Sequence, residues 1–160
     1  MVVAVDNTTA SRKAMSHSLA MASMMSPPPE LKVVYAIGLN PSHSLPIAFL
    51  DTLDRRNNMD IKENSRLEVE EITAWLAKFK EKYTACQLVT VQRHEPVGQI
   101  ITQYLFDTRA DLLMIGASSR STASGTFRTL LGSTSEYCLR HAPCPVTIIK
   151  QTDVSSIQKH

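Results

Sequence analysis

Cysteine is scarce in this 160-residue chain and comes in an odd number, Cys86, Cys138 and Cys144, with no CxxC spacing. That argues against a disulfide framework or a zinc site and for a reducing compartment, so a cytoplasmic protein is expected. Glycine is sparse too, at 5 residues, and neither GxxxxGK[ST] nor GxGxxG occurs. Charge of one sign is lacking: 17 Lys and Arg stand against 15 Asp and Glu, a net charge of +2. This is too small to act as a nucleic-acid footprint by itself, and no nucleic-acid partner is expected. No apolar run approaches the roughly 20 residues needed to span a bilayer, so no membrane partner is expected. The stretch MVVAVDNTT has no basic segment ahead of its apolar residues and does not read as a secretory leader. The histidines His17, His43, His94, His141 and His160 form no HxxxH or HExxH pair, so no metal site is expected. There is no GxSxG elbow for a serine nucleophile.

What is present is a core. Hydrophobic residues make up 43% and charged residues 20% of the chain, the balance of one globular domain. Met1–Asp6, Leu31–Ile37, Cys86–Val91, Ala110–Ile115 and Pro145–Lys150 read as short, apolar strands. Between them, Ala10–Met25, Met59–Tyr83, Val97–Thr108 and Gly132–His141 carry apolar residues at helical spacing. Thr8 and Thr9 suit a helix cap. Pro27-Pro28-Pro29 stops the first helix, and Pro96 fits the start of the third. Trp75 lies on the apolar stripe Ile72, Trp75, Leu76, Phe79, Tyr83 and is expected in the core. Gly38 to about Arg56 reads as a long connection in which IAFLDTL forms at most a helical turn. Strands alternating with helices predict an α/β fold: one doubly wound parallel sheet with helices on both faces, over residues 1–150, with a polar tail over 151–160.

In such a sheet, ligands bind beyond the carboxyl ends of the strands at the topological switch point. Three loops fall there: Asp6-Asn7-Thr8, Ala36-Ile37-Gly38 and Gly116–Gly132. The last reads GASSRSTASGTFRTLLG and leads into STSE. Its glycines let backbone amides approach a ligand, and successive amides form anion nests. Its hydroxyls add donors, and the helix opening at Gly132-Ser133 points free amides back at the loop. Arg120 and Arg128 are at hand to neutralise phosphate. These are the parts of a phosphate cradle. The structural alternative is a capping box, S-x-x-E over Ser133–Glu136. A phosphoacceptor receiver is set aside, because the third strand ends Val91-Gln92-Arg93-His94 with no aspartate to phosphorylate.

VVAVDN, ADLLMIGASS and LLGSTSEYCLRHAPCPVTIIK together resemble the universal stress protein family, over Met1 to Lys150. The resemblance implies a Rossmann-like sheet in the order 3-2-1-4-5. It also implies an adenine nucleotide, ATP or its AMP and ADP forms, with Mg²⁺ on the phosphates. The family's motif Gly-x2-Gly-x9-Gly-Ser/Thr corresponds here to Gly116-x2-Ser119-x12-Gly132-Ser133. The outer glycines match, Ser119 replaces the second glycine, and the spacer is three residues longer. By resemblance, Ala4, Val5 and Asp6 line the adenosine pocket, with Asp6 accepting from ribose hydroxyls. Ala36 presents its backbone to the adenine edge. Ile115 belongs to the nucleotide site, Gly116, Ser118 and Ser119 wrap the phosphates, and Gly132, Ser133, Thr134 and Ser135 donate to them from the start of the last helix. The resemblance further implies a homodimer through the last strand, residues 146–150, and a part in the stress response. Nothing poised as base, metal or nucleophile points to efficient catalysis. Two other readings stay open: a dimeric partner-binding member that takes no nucleotide, and a slow ATPase or self-phosphorylating protein.

Overall fold

The computed structural model describes residues 1–40, 48–81, 83–117 and 131–150. Among these described residues, five strands alternate with four helices: β1 (Val2–Ala4), α1 (Thr9–Met24), β2 (Leu31–Gly38), α2 (Ala48–Lys80), β3 (Cys86–Arg93), α3 (Val97–Asp107), β4 (Leu113–Ala117), α4 (Ser133–His141) and β5 (Val146–Lys150). They form one parallel sheet in the order β3-β2-β1-β4-β5. β1 is therefore flanked by β2 and β4, and the chain reverses its direction of winding between them. The expected order and alternation are both found.

The two faces of the sheet are packed separately. Val3, Val33, Tyr35, Met15, Ile72 and Leu76 build one layer beneath α1 and α2. Val2, Ala4, Val34, Ile101, Leu105 and Ile115 build the other beneath α3 and α4. Strand residues alternate between the layers, as a pleated strand buried on both faces requires. Trp75 sits at the rim of the first layer, half-buried, edge-on to Phe79 with ring centroids 5.6 Å apart. The Arg12 guanidinium lies 5.9 Å from its ring.

Two expectations need correction. α2 runs from Ala48 for 33 residues, so residues 48–58 of the expected connection are helical. No glycine or proline occurs between Ile47 and Lys82, and nothing in that stretch stops a helix. Residues 41–47 of the connection, and the tail 151–160, lie outside the described residues. The capping box does not form. Gly132 occupies the cap position, without a side-chain cap bond, which puts Ser133 one place too far in to reach back. Glu136 pairs instead with Arg140, one turn on, at 2.6 Å.

Candidate functional site

A cavity of about 440 Å³ opens at the carboxyl end of the sheet, at the switch point between β1 and its neighbours. Its floor is the end of β1, Ala4 and Val5, followed by Asp6. The end of β2 contributes Tyr35 and Ala36, and the end of β4 contributes Ile115 and Gly116. Gly132, Ser133, Thr134 and Ser135 close it from the start of α4. Every described residue expected at the site lies in this one cavity. Ser118, Ser119, Arg120 and Arg128 lie outside the described residues.

β1 ends early, and that places Asp6. The strand stops at Ala4, although the Val5 amide still donates to Val34 O at 2.9 Å. The chain then turns into α1. Thr8 caps that helix by accepting from the Ser11 amide at 3.3 Å. Asp6 Oδ1 accepts from the Thr8 amide at 3.1 Å, the Thr8 hydroxyl at 2.5 Å and the Ser11 hydroxyl at 2.5 Å. Ser11 Oγ also accepts from the Asp6 amide at 3.0 Å, so the two residues grip each other. All of the bonds to the carboxylate fall on Oδ1. Asp6 thus braces the turn that leads into α1, and among the described residues its Oδ2 takes no bond and is left for an incoming donor.

Gly116 and Gly132 do different work. A Cβ on Gly116 would sit 2.5 Å from the Ala10 carbonyl carbon and 2.8 Å from the Ser11 nitrogen, so only glycine lets α1 start against β4. A Cβ on Gly132 would meet no described atom within 4 Å. The described packing makes no demand there, and Gly132 lines the cavity. The first bond of α4 runs from the Glu136 amide to Gly132 O at 3.0 Å. The amides of Ser133, Thr134 and Ser135 precede that ladder, and the positive end of the helix dipole adds to them. The Ser135 hydroxyl donates to Gly116 O at 3.3 Å and ties α4 to β4.

Five lining residues were not expected: Ser11, Tyr35, Glu68, Val97 and Ile101. Val97 and Ile101 bring an apolar wall from α3. The Tyr35 hydroxyl donates to Glu68 Oε2 at 2.7 Å, across from β2 to α2. Burial, followed by the bond to Glu68, pushes the Tyr35 phenol up to about 12, so it keeps its proton at neutral pH. The thiols stand apart from the site, and burial raises Cys138 to about 11. No group of three or more His, Cys, Asp or Glu converges on a metal position among the described residues. Nor is any described helix long and apolar enough to cross a membrane.

The model of the universal stress protein family matches residues 1–150. The chain belongs to the universal stress protein family. It is similar to universal stress protein MJ0531 of Methanocaldococcus jannaschii, 24% identical over 151 residues, 94% of this chain and 81% of that protein. The fold matches that of universal stress protein UspA from Lactobacillus plantarum with a TM-score of 0.63 at 20% identity, covering 92% of this chain and 95% of that one. It also matches an Arabidopsis thaliana universal stress protein with AMP bound, TM-score 0.55 and 19% identity, over 99% of this chain and 97% of that one. The five-stranded parallel sheet with its four helices is the α/β fold of those universal stress proteins.

Proposed function

We propose that this universal stress protein binds an adenine nucleotide, ATP, ADP or AMP, in the cavity at the ends of β1, β2 and β4, and acts as a cytoplasmic regulator in the stress response. The observation that carries the reading is the convergence in one cavity of a carboxylate oxygen on Asp6 and three amides, of Ser133, Thr134 and Ser135, that have no partner among the described residues, with an apolar wall beside them. A nucleotide needs those three chemistries in that arrangement: an acceptor for the sugar, a surface for the base and donors for the phosphates. Its volume of about 440 Å³ falls in the range of small-molecule sites. Family membership and the AMP-bound Arabidopsis protein support the same reading. Mg²⁺ would be held through phosphate oxygens and water, as protein-bound magnesium commonly is. We further infer that the protein self-associates through β5, an edge strand of the described sheet.

Calorimetric titration of AMP and ATP tests the reading. The wild-type protein binds at least one of them. In Gly132→Val the branched side chain fills the open space before α4, and affinity falls by at least about tenfold, or 1.4 kcal/mol. The sheet still folds, because a Cβ there meets no described atom within 4 Å, and the melting temperature falls only by what a poorer helix cap costs, about 1 kcal/mol. Unchanged affinity in that variant, or no heat with either nucleotide in the parent, overturns the proposal.

A further inference from the structure

The cavity has two chemically opposite ends. At α4 it offers amides and a helix N-terminus, which favour negative charge. Elsewhere on its wall it offers Asp6, after β1, and Glu68, on α2, the latter bonded by Tyr35 of β2. Both carboxylates are held in place. Asp6 Oδ1 takes three bonds from Thr8 and Ser11, and Glu68 Oε2 takes the Tyr35 proton. Each has a second oxygen still able to accept. Among the described residues lining the cavity there is no Lys, Arg or His. Arg12, at the start of α1, is turned to Asn7 at 3.3 Å and to the Trp75 ring.

We propose that Glu68, positioned by Tyr35, acts with Asp6 to make this site selective for nucleotides whose ribose hydroxyls are free, and excludes those carrying a 2′- or 3′-phosphate. The inference rests on the adenine-nucleotide reading and deepens it. A pair of carboxylates suits two vicinal hydroxyls, which donate. A phosphate placed there brings further negative charge against two anions a few ångströms away, an unfavourable approach even in water. Sites that accept a ribose phosphate place an arginine at this point; sites that take the hydroxyl place an acid. The Tyr35 hydroxyl supplies no remedy, since its proton is engaged by Glu68.

The test compares AMP with adenosine 3′,5′-bisphosphate by calorimetry on the full chain. AMP is expected to bind at least about tenfold more tightly, because the extra phosphate meets two like charges at close range. In Glu68→Gln the ratio of the two dissociation constants falls several-fold. A Glu68 that only braced α2 against β2 would change the melting temperature and leave that ratio alone. As a measurement independent of the variant's folding, the wild-type ratio shrinks as salt rises from about 0.01 M to about 1 M, where the screening length drops from roughly 30 to 3 Å. Equal affinity for the two ligands overturns the selectivity and leaves adenine-nucleotide binding standing, as does a ratio unmoved by both Glu68→Gln and salt. Failure of both ligands to bind overturns the underlying reading, and the selectivity with it.

Discussion

At the scale of single residues, Arg109 shows how a local rule can be broken. α3 closes with the Ala110 amide donating to Leu105 O at 3.0 Å and the Arg109 amide to Phe106 O at 3.2 Å. That pair of bonds requires a left-handed residue in between, usually glycine. Here it is Arg109, at φ 49°. An L side chain in that region costs about 1 kcal/mol. Arg109→Gly is therefore expected to raise the urea midpoint, by about 0.5–1 kcal/mol of stability, whereas Arg109→Ala keeps the strain and gains nothing comparable. Equal midpoints for the two variants would show that no strain is stored there. The candidate site was legible at this scale wherever its chemistry lies in consecutive residues. Asp6, Gly116 and Gly132–Ser135 stand at strand ends or in a glycine- and hydroxyl-rich run, where few roles compete. Ser11, Tyr35, Glu68, Val97 and Ile101 gave no such signal. Tyr35 is one apolar-looking residue in a strand buried on both sides. Glu68 is one of several acids on the polar side of a long helix. Val97 and Ile101 have the spacing of ordinary core contacts.

At the scale of elements, α2 is the clearest gap between pattern and structure. Its second half was readable, because Ile72 and Leu76 recur on one face and are fully buried. Its first half was not, because the apolar residues of 48–58 follow no regular stripe and are interrupted by acidic, basic and amide side chains. The difference has an energetic counterpart. At 33 residues, α2 is roughly 50 Å long, while among its described side chains the deeply buried apolar anchors are Ile72 and Leu76. Asn58 provides a polar attachment nearer its start: its side chain accepts from the Asn40 amide at 2.8 Å and donates to Asn40 O at 3.3 Å. Leu76→Ala should cost about 2–5 kcal/mol by removing a fully buried side chain. In hydrogen exchange of the parent protein, amides of residues 54–64 should exchange well before those of 68–80, since protection follows buried contact rather than helicity alone. Uniform protection along α2 would contradict this division. The start of α4 carries a related lesson. The sequence S-x-x-E satisfied the capping pattern in letters, but a preceding glycine with nothing packed on it took the cap position, and the acid found a cation on the next turn.

At the scale of the whole molecule, the alternation of strands and helices announced a parallel sheet, whereas the strand order was expected only from the family resemblance. The chemistry of the outer edge of β5 is less direct. β5 pairs with β4 on one side and ends the described sheet on the other. The Leu113 amide donates to Pro145 O at 3.0 Å, which sets the phase of the ladder. In a parallel pair, alternate residues bond the neighbour. Thr147 and Ile149 thus face β4 with their backbone groups, and Val146, Ile148 and Lys150 turn theirs to the free edge. An exposed row of amides and carbonyls is a template for a second copy, and a twofold axis beside β5 would satisfy both rows at once. Lys150 at its end is the feature that would oppose close approach. The alternation separates two substitutions at adjacent positions. Ile148→Pro removes an outward donor and should give monomer with the β4–β5 ladder intact. Thr147→Pro removes a donor from that ladder and should destabilise the fold itself, since proline is tolerated on an edge only where its missing amide faces away. Sedimentation velocity of the parent and the Ile148→Pro variant, alongside their melting temperatures, distinguishes these outcomes. A parent that sediments as a monomer at concentrations of about 100 μM would mean that the β5 edge is left to solvent, because an obligate edge pairing of this kind is far tighter than that.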